Sequence, residues 1–363
     1  MRPSVKVVLA IGAGIIGSPL GAQSIFDSSV RTGPQFIRYE IKAPVAQTIS
    51  EFALPIFVVL PITSTFSFDV GTAYASARVA SDAGSSSTIN GLTDTQVRAN
   101  WSLAADMVVL TAGVNLPTGR ATARPDEQLA ALQLGTDFLA FPISNMGTGF
   151  GATAGIAVAR PVGAWNLGLG ASLRRSSAYE PFEDDVGDRA RFQPGNEYRA
   201  RLGVDHSFGT GRVALGMIYS RFAKDELEGS LYNTGDRYIT QVGFNNSMGG
   251  ADLVLAGWNL FRAKGTLFTG ATSSSENIAN LLLGVGFHTI GGVVEPTVEV
   301  RNLQKAHTKP STLGNFGLRY SVDMGTFGVT PSAAYSVGKL ATDAGIADLR
   351  GFRAMLAIRL GGR

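Results

Sequence analysis

Twelve charged residues share one phase of a strand-like alternation: Asp69, Arg98, Arg174, Arg199, Arg201, Asp205, Arg237, Glu299, Arg301, Arg319, Arg353 and Arg359. Nine of them are arginines. A guanidinium is planar, permanently charged, and matches a carboxylate with two donors at once. Gathered on one face, such groups make a field that favours anionic solutes such as carboxylates. The same residues also suit an arginine–acid ladder that fills and stiffens a wall, and the sequence leaves both readings open. In either case a face this charged must meet water or its own counter-charges.

Other chemistry is sparse. His206, His288 and His307 lie far apart, the chain has no cysteine, and no zinc-ligand spacing occurs. No catalytic, metal or cofactor site is therefore expected, and the chain reads as no enzyme. Residues 149–154 (GFGATA) match the loose G-x-G-x-x-A dinucleotide pattern, but alternation continues through them to Ile156 and Val158 where that fingerprint needs a helix. Residues 179–188 (YEPFEDDVGD) hold five acids in ten positions. They could bind Ca²⁺ or bridge to lipopolysaccharide through divalent ions, yet EF-hand spacing is absent and a solvated acidic loop is the plainer expectation.

The elements that must position these residues are strands. Phe66, Phe68, Val70, Thr72 and Tyr74 alternate with Ser67, Asp69, Gly71, Ala73 and Ala75. Trp165, Leu167, Leu169, Ala171 and Leu173 alternate with Asn166, Gly168, Gly170, Ser172 and Arg174. The period of two recurs around 198–205, 315–322 and 352–360. Short turns near 105–106, 161–164, 209–211, 247–250, 291–292 and 323–326 take turns with polar stretches at 81–93, 117–148, 179–194, 224–235, 264–275, 304–310 and 339–349. One rim of tight turns and one of long loops is the layout of an antiparallel, up-and-down transmembrane β-barrel. Seven long loops imply fourteen strands, with twelve to sixteen open. Residues 36–41 and 49–60 either add a hairpin, giving sixteen, or lie inside the ring as a plug.

Composition agrees. Charged residues make up 16% where soluble domains average about 25%, and 45 of 363 residues are glycine. Trp101, Trp165, Phe208, Phe244 and Phe287 fall near the short turns, and Tyr74, Tyr219, Tyr335 and Phe352 toward the long loops. Two such girdles suit two membrane interfaces. At the front, Arg2 and Lys6 precede an apolar run too short to span a bilayer, so residues 1–22 read as a signal peptide. Residues 23–63 then form the plug or extra hairpin, and 64–363 the barrel. Without Arg2 and Lys6 the chain has 29 basic against 28 acidic residues, which gives no reason to expect nucleic acid.

The 117–148 stretch exceeds a plain turn. Pro125, Asp126 and Glu127 suit a helix start, and Leu129, Leu132, Phe138, Leu139 and Phe141 give it an apolar face. It folds either into the mouth as a lid or onto the rim as an external helix. Residues 113–119 (GVNLPTG) resemble a strand-end motif of the MetA-like outer-membrane proteins of phenol-degradation clusters, which are related to the long-chain fatty-acid transporters; residues 160–163 (RPVG) and 194–198 (PGNEY) fit the same layout. The resemblance implies fourteen strands, an N-terminal segment in the lumen and an apolar ligand route.

These readings converge on an expected passive carrier or channel of the bacterial outer membrane for small hydrophobic or amphiphilic compounds. A general diffusion porin and a non-conducting structural or adhesive barrel are the alternatives. Candidate ligand-path residues are Arg98, Arg174, Arg199, Arg201, Arg237, Arg319 and Arg353, with Phe57, Leu129, Leu132, Phe138 and Phe141 as the apolar set. Expected partners are outer-membrane lipid, lipopolysaccharide and a small solute; the oligomeric state is open.

Overall fold

A computed structural model describes residues 28–44, 46–306 and 308–361. The signal-peptide reading and His307 fall outside these residues. The chain forms sixteen antiparallel staves. In order they are β1 (Ser29–Thr32 continued by Gln35–Ile41), β2 (Gln47–Pro61), β3 (Phe66–Ser81), β4 (Ser86–Leu92 continued by Thr95–Leu103), β5 (Val108–Leu116), β6 (Gly151–Val162), β7 (Trp165–Ser176) and β8 (Glu197–Phe208). The second half comprises β9 (Gly211–Phe222), β10 (Arg237–Met248), β11 (Ala251–Arg262), β12 (Glu276–Thr289), β13 (Gly292–Lys305), β14 (Ser311–Asp323), β15 (Phe327–Thr342) and β16 (Gly345–Gly361).

Each stave pairs with its sequence neighbours, and β16 returns to β1, from Ser29 opposite Gly361 to Ile41 opposite Leu349. Closure leaves no unpaired edge, the condition for β-structure in hydrocarbon. Alternation sets the two faces. Tyr74, Trp101, Trp165, Leu169, Phe287, Tyr335 and Phe352 point outward and exposed, while Ser67, Asp69, Ala73 and Ala75 turn inward and are buried. Phe208 and Phe244 stack at 6.1 Å beside the short turns, inside one of the expected aromatic girdles.

The count corrects the fourteen expected, because residues 29–61 are wall rather than plug. Three expected loops also shrink. Most of 81–93 belongs to β3 and β4, 339–349 is crossed by β15 and β16 around a tight turn, and 304–310 is short. The connections 117–150, 177–196, 223–236 and 263–275 stay long, and all four leave the same rim. Two of them carry a small external sheet: Tyr179–Glu183 and Arg189–Gln193 pair as a hairpin, joined to the hairpin of Asp225–Leu227 with Ser230–Tyr232. Its acids are engaged locally, with Arg189 Nε donating to Glu183 Oε2 at 2.9 Å. Residues 149–154 run into β6 as strand.

Candidate functional site

The longest loop does not stand outside. Asp94, at the break between the two halves of β4, holds both of its ends. Its carboxylate accepts from the Gly119 backbone N–H at 3.0 Å, the Thr148 backbone N–H at 2.6 Å and Asn115 Nδ2 at 2.9 Å. The approach at Gly119 is too close for a side chain, since a Cβ there would lie 2.2 Å from the Met146 carbonyl oxygen. A chain clamped at both ends above the lumen folds inward. Helix α1 (Gln128–Leu134) rests at the mouth, where the Ala130 N–H donates to Ser87 Oγ at 3.1 Å. Residues 137–146 then descend into the ring.

Inside, the loop meets inward residues of the wall. Phe138, Leu139, Phe141 and Met146 form one buried cluster with Ile37, Tyr39, Ile49, Ala75 and Val79 on one side and Leu260, Ile278, Leu303, Leu313 and Leu349 on the other. Polar tethers fix it. Arg301 Nη1 donates to the Phe138 carbonyl at 2.7 Å, Tyr39 Oη to the Leu139 carbonyl at 3.1 Å, and Arg262 Nη2 to Asp137 Oδ2 at 2.7 Å. The Ile143 N–H donates to Glu51 Oε1 at 3.0 Å. The loop thus packs against part of the inner face of β1–β4 and β11–β16, and the remaining inward positions of those staves face the open lumen together with β6–β10.

That open space is a cavity of about 1240 Å³. Gly168, Gly170, Gly203, Gly216 and Gly243 line it on β7–β10. Paving that side with hydrogen in place of side chains keeps it wide. Phe57, Phe141 and Trp258 contribute apolar surface; Arg98, Arg201, Arg212, Arg319 and Arg353 contribute cations, and Asp94, Asp205, Glu295 and Glu299 anions.

The sequence-derived arginines divide by partner. Arg98 lies 3.6 Å from Asp69 and over the Phe57 ring at 5.8 Å. Arg199 pairs with Glu197 at 2.5 Å, Arg319 pairs with Glu295, and Arg359 with Asp323 at 2.9 Å. Arg301, with no exposed side-chain surface, pairs with Glu299 at 2.7 Å. For these the ladder reading holds. Among the described residues Arg353 meets only Tyr39 Oη, at 3.4 Å. Arg237 lies over Phe222 at 5.7 Å, and its Nε has no hydrogen-bond partner among the described residues. Among the described residues Arg201 has charged neighbours in Arg199, Glu197 and Arg98 but no ion pair, and Arg174 has none either. Arg174, Arg199 and Arg201 lie on β7 and β8, and of these Arg201 lines the cavity; Arg237, on β10, is opposite Arg262 and so sits beside loop residue Asp137.

The apolar candidates divide too. Phe57 faces the cavity, and Phe138 and Phe141 are buried between the loop and the wall, with Phe141 also reaching the cavity. Leu129 and Leu132 are 46% and 61% exposed. The helix turns Ala130 and Leu134 inward instead, which takes those two leucines off the expected ligand face. The sequence reading assigned no role to Asp94, Glu51, Glu197 or Glu295, although Glu197 falls in the 194–198 segment, Glu51 interrupts the apolar 49–60 stretch, and Asp94 binds Asn115 and Gly119 of the 113–119 motif. His206 contacts the Ala164 carbonyl at 2.7 Å and stacks on Trp165 at 4.6 Å, and His288 lies 2.9 Å from Asp252, both beside short turns and neither among the residues that line the cavity. Among the described residues no group of three potential ligands could hold a metal.

No known protein family and no curated protein matches the sequence. Solved structures do match in shape. A bacterial polysaccharide outer membrane secretin superposes with a TM-score of 0.50 over 93% of this chain and 98% of its own, at 9% identity. CdiB from Acinetobacter baumannii gives 0.51 over 92% of this chain and 60% of its own, at 9% identity. The outer membrane protein OpdK from Pseudomonas aeruginosa gives 0.45 over 92% and 99%, at 11% identity. The fold is that of the bacterial outer-membrane barrels. At such identities the likeness extends to architecture alone.

Proposed function

We propose that the protein is a passive channel of the bacterial outer membrane that admits small amphiphilic anions. One observation carries the reading: the cavity joins the apolar surface of Phe57, Phe141 and Trp258 to a glycine-paved wall and to Arg201 and Arg353, which have no ion pair among the described residues. A solute with an apolar body and a carboxylate finds both halves of its recognition there, with guanidinium for the head and Phe57, Phe141 and Trp258 for the body. The resemblance of residues 113–119 to a motif of carriers of hydrophobic compounds suits the apolar half. In this chain that motif also supplies the loop anchor at Asn115 and Gly119.

The test is conductance with purified protein in planar bilayers, joined to liposome swelling. The expected result is an anion-selective reversal potential under a salt gradient, and faster swelling with small carboxylates than with neutral sugars of equal size. Replacing Arg201 and Arg353 by glutamine should move the reversal potential toward zero. Cation selectivity overturns the proposal. Swelling that follows solute size alone indicates a general diffusion porin, and absence of conductance a structural or adhesive barrel.

A further inference from the structure

The outer wall carries a second charge pattern, unrelated to the lumen. Arg38 on β1, Arg78 on β3, Lys339 on β15 and Arg350 on β16 all occupy outward, exposed positions near the loop-bearing rim, and Lys42 follows β1 at the same edge. The register places them together across the closing seam. Arg38 and Arg78 are both opposite Ser50, which puts their Cα atoms about 10 Å apart. Arg350 is opposite Glu40, diagonal to Arg38 at about 7–8 Å. Lys339 is opposite Asp348. Glu40 takes an ion pair from Arg38 at 2.9 Å and from Lys42 at 3.6 Å. Among the described residues Arg78, Lys339 and Arg350 have no ion pair. Five cations face two acids.

We propose that this patch binds the phosphorylated head group of a lipopolysaccharide molecule standing in the outer leaflet. Its position on the wall supports this. Immediately toward the membrane lie Phe36, Phe52, Tyr74, Tyr335 and Phe352, all outward and exposed. Such aromatics mark the boundary between hydrocarbon and head groups, so the guanidinium groups stand at head-group depth. Phosphate oxygens are matched by guanidinium forks and strengthened by the charge. The other ends of the same staves present Val30, Leu60, Phe68 and Leu360, without a charge, so the pattern distinguishes the two leaflets. It also distinguishes sides of the barrel, because the last outward positions of β10–β14 are Tyr238, Phe261, Asn277, Gln304 and Thr312, all uncharged.

The full chain in detergent micelles can be titrated with bisphosphorylated lipid A, the same lipid stripped of phosphate, and phosphatidylglycerol, with the bound fraction read by native mass spectrometry. The expected result is a retained lipid A molecule that the stripped lipid and phosphatidylglycerol do not displace. Combining Arg38→Gln, Arg78→Gln and Arg350→Gln should weaken binding on the order of a hundredfold, and Arg78→Gln alone about fivefold. Arg175→Gln with Arg221→Gln, outward cations on β7 and β9, should leave it unchanged. The single substitution serves if the triple variant fails to show the heat-dependent gel shift of a folded barrel. Equal binding by Arg78→Gln and the wild type, equal retention of the stripped lipid, or an equal loss in the β7/β9 variant overturns the proposal.

Discussion

The guanidinium of Arg301, on β13, donates to the carbonyl oxygen of Phe138 at 2.7 Å across 163 residues of chain. The other arm of the same group holds Glu299 at 2.7 Å, whose second oxygen accepts from Asn315 at 3.1 Å. A fully buried cation thereby couples loop to wall. Arg301→Ala removes the tether and leaves Glu299 an uncompensated buried charge, a loss of about 3–5 kcal/mol. The expected outcome is a lower unfolding temperature in detergent together with a larger or noisier single-channel conductance. An unchanged conductance would show that the loop does not restrict the passage.

Asp94 makes a second, separable prediction. Asp94→Ala leaves the N–H groups of Gly119 and Thr148 without their acceptor, at about 1–3 kcal/mol for each buried donor left unpaired. Both loop ends are released at once. An external protease should then cut within 117–150 of intact cells, whereas the wild type resists. Asp94→Asn keeps one acceptor oxygen and should fall between the two.

Most of the ring was legible as alternation, because most staves meet lipid on one side and lumen on the other. The reading failed where that contrast is absent. Residues 49–60 looked apolar on both faces because the inner face of β2 meets the loop and not water: Ile49 and Ala53 are buried in the cluster that contains Phe138 and Phe141. β1 was hard to see because it breaks at Gly33 and Pro34, where a Cβ on Gly33 would sit 1.8 Å from the Leu356 carbonyl oxygen and the Pro34 carbonyl accepts from the Leu356 N–H at 3.0 Å. Residues 86–92 looked like a loop because their outward positions, Ser86, Thr88 and Asn90, lie above the aromatic girdle, while Ser87 turns inward to cap Ala130. The arginine face was legible as a set. Which arginines are paired was not, because Glu295 reaches Arg319 from the neighbouring stave and Asp137 reaches Arg262 from the loop, although Glu197 lies only two residues from Arg199 on β8.

The aromatic wedge predicts a change of opposite sign in function and stability. Phe138 and Phe141 are 1% and 7% exposed, and Phe141 meets Tyr39 edge to face at 5.8 Å. Phe→Ala in a packed site costs about 3–5 kcal/mol, and here the vacated volume adjoins the cavity. The double variant should melt earlier and swell liposomes faster with solutes that the wild type excludes by size. Slower swelling would mean that the aromatics bind the solute and do not merely narrow its path.

The external sheet carries a pH prediction. Asp225 accepts the Gly195 N–H at 2.7 Å, and burial beside the Tyr179 and Tyr232 rings pushes its carboxyl above the ordinary aspartate range, with the Gly195 bond opposing the shift. The same burial raises both phenols to about 12. A carboxyl raised in the folded state binds its proton more tightly there than when exposed, so protonation favours the docked hairpins. That contribution is complete below the unfolded pKa and disappears as pH rises through the higher, folded value. Hydrogen exchange over 189–193 and 225–232 should therefore show more protection at acidic pH than at neutral pH after correction for the intrinsic rate. Asp225→Asn keeps the acceptor for Gly195 and removes the charge. It should raise protection at neutral pH and flatten its pH dependence; a pH dependence that survives in that variant would assign the effect to another group.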